Sequence, residues 1–156
     1  MGINWPLLLG LIILCNILGA LGTLWTSDDS DWYKGINKPS FNPPSWIFGP
    51  VWTLLFTLMG IALYLVWTSS DSQIRTLALI IFAAQFILNI LWSYLFFGIN
   101  NPFWSFIEIV ILLIFILLTG IFFYQINKYS GYLILPYLLW VTFATILNFS
   151  IWKLNS

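Results

Sequence analysis

Five stretches of the sequence, about Trp5 to Trp25, Trp46 to Trp67, Arg75 to Phe97, Phe103 to Gln125 and Tyr132 to Trp152, are apolar almost from end to end. Each has the ~20 residues that a helix rising ~1.5 Å per residue needs to cross ~30 Å of hydrocarbon. Lipid offers no partner to a backbone N–H or C=O, so each run must close its hydrogen bonds within itself, as an α-helix does. Composition agrees: 61% of the 156 residues are hydrophobic and only five are basic and five acidic, too little polar surface to cover a water-exposed exterior. The expected fold is an all-α membrane protein, a single transmembrane domain over residues 1–156. The connectors Thr68 to Ile74, Gly98 to Pro102 and Ile126 to Gly131 are short and predict antiparallel neighbours in a five-helix bundle. Only the connector from Thr26 to Ser45 is long.

Several functional classes fall away. Histidine is absent, which removes a His general base, a His metal site and His-ligated haem. The sequence has no phosphate-cradling glycine loop, zinc spacing or serine nucleophile elbow. Zero net charge without a basic cluster argues against nucleic acid. Cys15 lies alone in an apolar run and has no disulfide partner within the chain. Nothing basic precedes the first run, which reads as a retained span rather than a signal peptide. Pro6 stands where a myristoylation pattern needs Ser or Thr. Lys34, Lys38 and Lys153 lie on one side of the membrane against Arg75 and Lys128 on the other, a small bias toward a cytoplasmic long loop.

The tryptophans separate by depth. Trp5 and Trp25, like Trp46 and Trp67, stand roughly 30 Å apart, the spacing of interfacial anchors, and Trp104 and Trp152 read the same way. Trp52, Trp92 and Trp140 lie deeper, at roughly 9, 8 and 18 Å from the long-loop side. On the third span Gln85, Asn89, Trp92 and Phe96 follow i, i+4, i+7, i+11 and share one face, and amides within hydrocarbon are expected to face inward. Trp140, Ala144, Leu147 and Ile151 repeat that spacing on the fifth span, as do Trp52, Phe56, Met59 and Leu63 on the second. Glu108 is the one acid inside an apolar run. It reads either as a carboxylate snorkelling to the interface or as a cavity-lining acid, protonated or paired with Lys34 or Lys38.

Small residues, Gly49, Thr53, Thr57 and Gly60 on the second span and Gly19, Ala20 and Thr23 on the first, suit close helix approach within or between protomers. In the long loop, Asp28, Asp29 and Asp31 hydrate the start, and Pro39, Pro43 and Pro44 stiffen the rest. A lid over a cavity mouth is the expected role, with Trp32 and Tyr33 closing it from above. Pro50 predicts a bend or an early 3₁₀ turn that reorients Trp52. A cavity of Trp, Phe and Asn with one carboxylate suits a flat, aromatic, mostly apolar ligand.

Three blocks closely resemble the translocator protein family, whose members are also called tryptophan-rich sensory proteins or peripheral-type benzodiazepine receptors. They are WYKGINKPSFNPPSWIFGPVW with the following LLFTLMGIALYLVW, then NILWSYLFFG at 89–98 and PYLLWVTFATILNFSIWKLN at 136–155. The resemblance implies a five-helix bundle, often a homodimer, whose pocket opens beneath the first loop and binds porphyrins and isoquinoline-type or benzodiazepine-type drugs, with no cofactor or metal required. Positions matching the family's pocket are Trp32, Trp46, Trp52, Asn89, Trp92, Glu108, Trp140, Ala144 and Leu147, and Phe96 joins them from its face on the third span. It further implies tetrapyrrole sensing, transport or light-dependent oxidative breakdown of protoporphyrin. In the last case Trp52 and Trp140 are the candidate catalytic residues, an indole supplying an electron to the excited porphyrin or quenching it, with Lys34 or Lys38 meeting a propionate. Lack of His favours metal-free porphyrin over haem. A transporter and a non-catalytic stress sensor are the alternatives, and no inverted repeat or pair of broken helices speaks for transport. Phe149, between Leu147 and Lys153, replaces the Tyr of the sterol pattern in animal members, against sterol binding. The chain stops at Ser156 without the basic tail of animal members, and the expected location is a bacterial plasma membrane.

Overall fold

Four of the five long helices begin where an apolar run follows a residue able to cap it. Asn4, Ser72, Asn101 and Asn127 accept backbone N–H groups of Leu7 (3.2 Å), Arg75 (3.1 Å), Trp104 (3.1 Å) and Tyr129 (2.9 Å) on their side-chain oxygens. Such a cap contributes about 1 kcal/mol to a helix start. The computed structural model describes residues 2–26 and 30–156, so Asp28 and Asp29 lie outside the described residues. Its helices are α1 (Trp5–Ala20), α2 (Asp31–Gly35), α3 (Phe48–Trp67), α4 (Gln73–Ser93), α5 (Pro102–Ile126) and α6 (Lys128–Leu154). A 3₁₀ turn Leu21–Leu24 extends α1, another at Ser45–Ile47 leads into α3, and a π turn Tyr94–Gly98 ends α4. With these extensions five helices among the described residues are long and apolar enough to span a bilayer. The protein is a multi-pass integral membrane protein.

Element ends differ from the sequence reading where polar residues act as caps. Ile126 to Gly131 is no connector: Asn127 alone joins α5 to α6, accepting N–H groups of both Tyr129 and Ser130, while Ser130 donates its hydroxyl to the Phe123 carbonyl (2.9 Å). The long loop contains α2, capped by Ser30 on the Tyr33 N–H. Pro50 sits in the first turn of α3, where its missing N–H removes no intrahelical bond, and the 3₁₀ turn precedes it. Trp152, read as an anchor, packs among Phe103, Phe106 and Phe149.

Around the bundle, α3 packs on α1 and α6, α5 packs on α6 and α4, and the end of α1 closes toward α4. Short connectors do not make every sequence neighbour a close packing partner: α3 and α4 touch sparsely. Aromatic side chains bridge them, Phe56 stacking on Phe86 with centroids 5.6 Å apart. The fully buried Met59, Ala62, Val66, Ala78, Ile116 and Phe123 fill the half of the bundle away from the long loop. In that half Gly60 lies on the backbone of α1, and a Cβ there would come 2.6 Å from Ile12 Cα. Only a glycine permits that approach without moving a helix. Gly60→Ala should therefore destabilise the protein by about 1–3 kcal/mol in detergent unfolding. Gly10→Ala, whose added methyl meets nothing within 4 Å, should be neutral or slightly stabilising; equal losses would reject the seam as a tight contact.

Candidate functional site

Under the long loop the bundle encloses a cavity of about 710 Å³ walled by α1, α3, α4 and α6 with the loop above. Period-3.6 faces bring the aromatic residues there. On α3, Trp52 and Phe56 stack at 5.3 Å; on α6, Trp140 meets Phe48 edge-on at 5.9 Å. Trp92 stacks on Phe96 at 5.2 Å. The π turn closes with Ile99 N–H donating to the Tyr94 carbonyl (3.0 Å), and this wider turn lets the consecutive Phe96 and Phe97 both reach the wall.

Two hydrogen-bonded chains orient the polar residues. Asn89 donates from Nδ2 to the Tyr137 hydroxyl (3.0 Å), which donates to Gln85 Oε1 (3.0 Å). Gln85 thus supports Asn89 from behind the wall. Trp92 donates its indole N–H to Asn148 Oδ1 (2.9 Å), and Asn148 Nδ2 donates to the Pro102 carbonyl at the start of α5 (2.9 Å). Among the described residues, no charged side chain lines the cavity.

The roof is held by the loop. Tyr33 is buried and lies 5.5 Å from Phe97. The Lys38 ammonium donates to the Tyr33 carbonyl and sits 4.4 Å above the Tyr33 ring. Asn155, at the end of α6, accepts from the Asn37 N–H and donates to the Asn37 carbonyl, both at 2.9 Å.

Of the residues expected from the sequence, Trp46, Trp52, Asn89, Trp92, Phe96, Trp140, Ala144 and Leu147 stand together on the wall, Trp46 at the mouth and 74% exposed. Trp32 does not: it packs edge-on against Phe96 at 5.5 Å from outside the cavity. Glu108 does not either. It is 5% exposed on the inner face of α5, and neither carboxyl oxygen has a hydrogen-bond partner. This corrects the Glu108 expectation in three respects: the side chain neither snorkels nor lines the cavity nor pairs with a lysine, because α5 stands behind α4 and α6 and contributes no described wall residue. Lys38, one of the two lysines expected to meet a propionate, is taken up by Tyr33.

The sequence reading passed over Asn148 and Asn16 as site residues, although both line the cavity. The signal was present, since each is an amide inside an apolar run and Asn148 lies four residues from Ala144. Asn16 donates to the Ile12 carbonyl (3.0 Å) and to Thr57 Oγ1 (3.3 Å).

Comparison with known proteins matches residues 11–153 to the TspO/MBR family. The chain is 42% identical over 149 residues to a protein of Archaeoglobus fulgidus named tryptophan-rich protein TspO, covering 93% of this chain and 94% of that one. It is 36% identical over 155 residues to the tryptophan-rich sensory protein of Cereibacter sphaeroides, covering 99% and 95%. Human translocator protein is 34% identical over 126 residues, covering 80% of this chain and 75% of its own.

Asn148 holds an indole and a helix start together, so the bond should appear in a double-mutant cycle. Unfolding of Trp92→Phe, Asn148→Ala and the double variant should give a coupling of about 0.5–1.5 kcal/mol. Additive losses would remove the bond from the account.

Proposed function

Because the chain belongs to the TspO/MBR family, we propose that it binds porphyrin-type tetrapyrroles, and isoquinoline-type or benzodiazepine-type ligands, in the cavity under the loop. The observation that carries this is the wall: Phe48, Trp52, Phe56, Trp92, Phe96 and Trp140 around about 710 Å³. Flat π faces bury an aromatic ligand, and a few fixed polar groups orient it. Asn89 has its Nδ2 engaged by Tyr137 and so presents its carbonyl oxygen as the acceptor. With no cation on the described wall, the propionates of a porphyrin stay at the mouth in water, because burying an unpaired carboxylate is costly.

Light- and oxygen-dependent degradation of the bound porphyrin goes with this reading. Dioxygen is the oxidant, the excited porphyrin is oxidised, and Trp52 and Trp140 flank it. The protein contributes position rather than a cofactor. A second reading, a sensor that consumes nothing, draws on Tyr33, which belongs both to the loop and to the wall.

Titration of purified protein with protoporphyrin in the dark tests binding. Trp140→Ala should weaken affinity about 10-fold or more, and Trp104→Ala, at an exposed position away from the cavity, less than about 2-fold; equal affinity in the Trp140 variant rejects the cavity as the site. Under illumination, porphyrin absorbance should fall in the parent protein and persist in Trp52→Phe/Trp140→Phe, which keeps some binding. Unchanged decay in that double variant would reject the photochemical role and leave the sensor.

A further inference from the structure

The seam between α1 and α3 is tight only in part. Gly60 lies on Ile12, and Gly19 lies on Phe56, where an added Cβ would come 2.2 Å from the ring. Beyond Gly19 the chain turns into the 3₁₀ segment Leu21–Leu24, which leans on α4 rather than α3. A Cβ on Gly22 would stand 3.0 Å from Ser93 Oγ of α4, while one on Gly49, at the start of α3, meets nothing within 4 Å. Ala20 and Thr23 on one lip and Gly49 and Thr53 on the other are both exposed and part of the cavity wall. The cavity therefore has a side opening between two membrane-spanning segments, in the leaflet under the loop.

The lips are dry. Thr23 donates its hydroxyl to the Ala20 carbonyl (2.6 Å), Thr26 to Gly22 (3.1 Å) and Thr53 to Gly49 (3.0 Å), so each hydroxyl is taken up by its own backbone. Such an edge has little left to offer water and tolerates acyl chains. The roof is the opposite: opening it breaks the Asn37–Asn155 pair and exposes the buried Tyr33 ring. Passage through the side breaks none of these bonds.

We propose that ligands pass between bilayer and cavity through this opening between the end of α1 and the start of α3, with the loop as a fixed roof. The cavity then takes molecules already dissolved in hydrocarbon: flat, apolar and neutral over the part that enters. The proposal rests on the binding reading above and adds the route.

Protoporphyrin in phosphatidylcholine vesicles is the probe. Thr23→Cys/Thr53→Cys is prepared in a Cys15→Ala background, loaded with protoporphyrin, and bridged or left unbridged with a reducible bis-methanethiosulfonate. Bridging should slow release into excess empty vesicles at least tenfold, reductant should restore it, and Asn155→Ala, which undoes the roof clasp, should change release less than twofold. Release indifferent to the bridge overturns the route, whether or not Asn155→Ala accelerates it. Should the cysteine pair not fold, unmodified protein decides: acyl-chain spin labels should quench bound porphyrin more strongly than aqueous iodide, and the reverse order overturns the proposal. Parent protein that binds no protoporphyrin sinks the binding reading as well, an outcome distinct from binding with an indifferent bridge.

Discussion

Inside hydrocarbon a side-chain amide has only the protein in which to find a partner, and the bundle depends on how its few amides do so. Tyr137 on α6 meets Asn89 and Gln85, one turn apart on α4. Trp92 on α4 meets Asn148 on α6, which in turn holds the first residue of α5. Asn16 on α1 reaches Thr57 on α3. Bonds of this kind average about 0.6 kcal/mol in membrane proteins and rarely exceed about 2, so their value lies less in strength than in register. A slip of α6 by one turn against α4 breaks both chains at once.

That register explains why a cavity survives beside a close-packed core. Away from the loop, regular α-helices meet over small residues and Phe82 stacks on Phe123 at 5.4 Å. On the loop side every helix end that bounds the cavity from α1, α3 and α4 departs from α geometry, as 3₁₀ at Leu21–Leu24 and Ser45–Ile47 and as π at Tyr94–Gly98. These turns re-aim side chains and separate backbones where continued α-helix brings them together. Bulky indoles then line the gap without filling it, because Trp92 is pinned by Asn148 and Trp52 is stacked on Phe56.

Most of the wall was legible in the sequence, for a reason seen best in Asn89, Trp92 and Phe96. Helical period gives the face and residue count gives the depth, and on these helices the inward face at that depth borders the cavity. Glu108 also lies inside an apolar run and is buried, and still stands away from the cavity. Depth and face are properties of one helix, whereas the side on which α5 packs is a property of the whole ring. Asn148 shows the converse: its chemistry was as visible as that of Asn89, but it was read only as part of a family block. Helix ends moved because Ser72 and Asn127 look like connector residues in a one-dimensional reading and act as caps once their N–H partners are in place.

By itself the sequence determined that the chain crosses a membrane as helices, and which residues on the second, third and fifth spans turn inward. Those follow from the absence of hydrogen-bond partners in lipid and from a period that belongs to each helix alone. Tertiary structure decided the order of helices around the ring, the exclusion of Glu108, the clasp of Asn155 on Asn37 and the gap between α1 and α3. Each of these depends on contacts between segments distant in the chain, which packing of the whole bundle selects and no local pattern encodes.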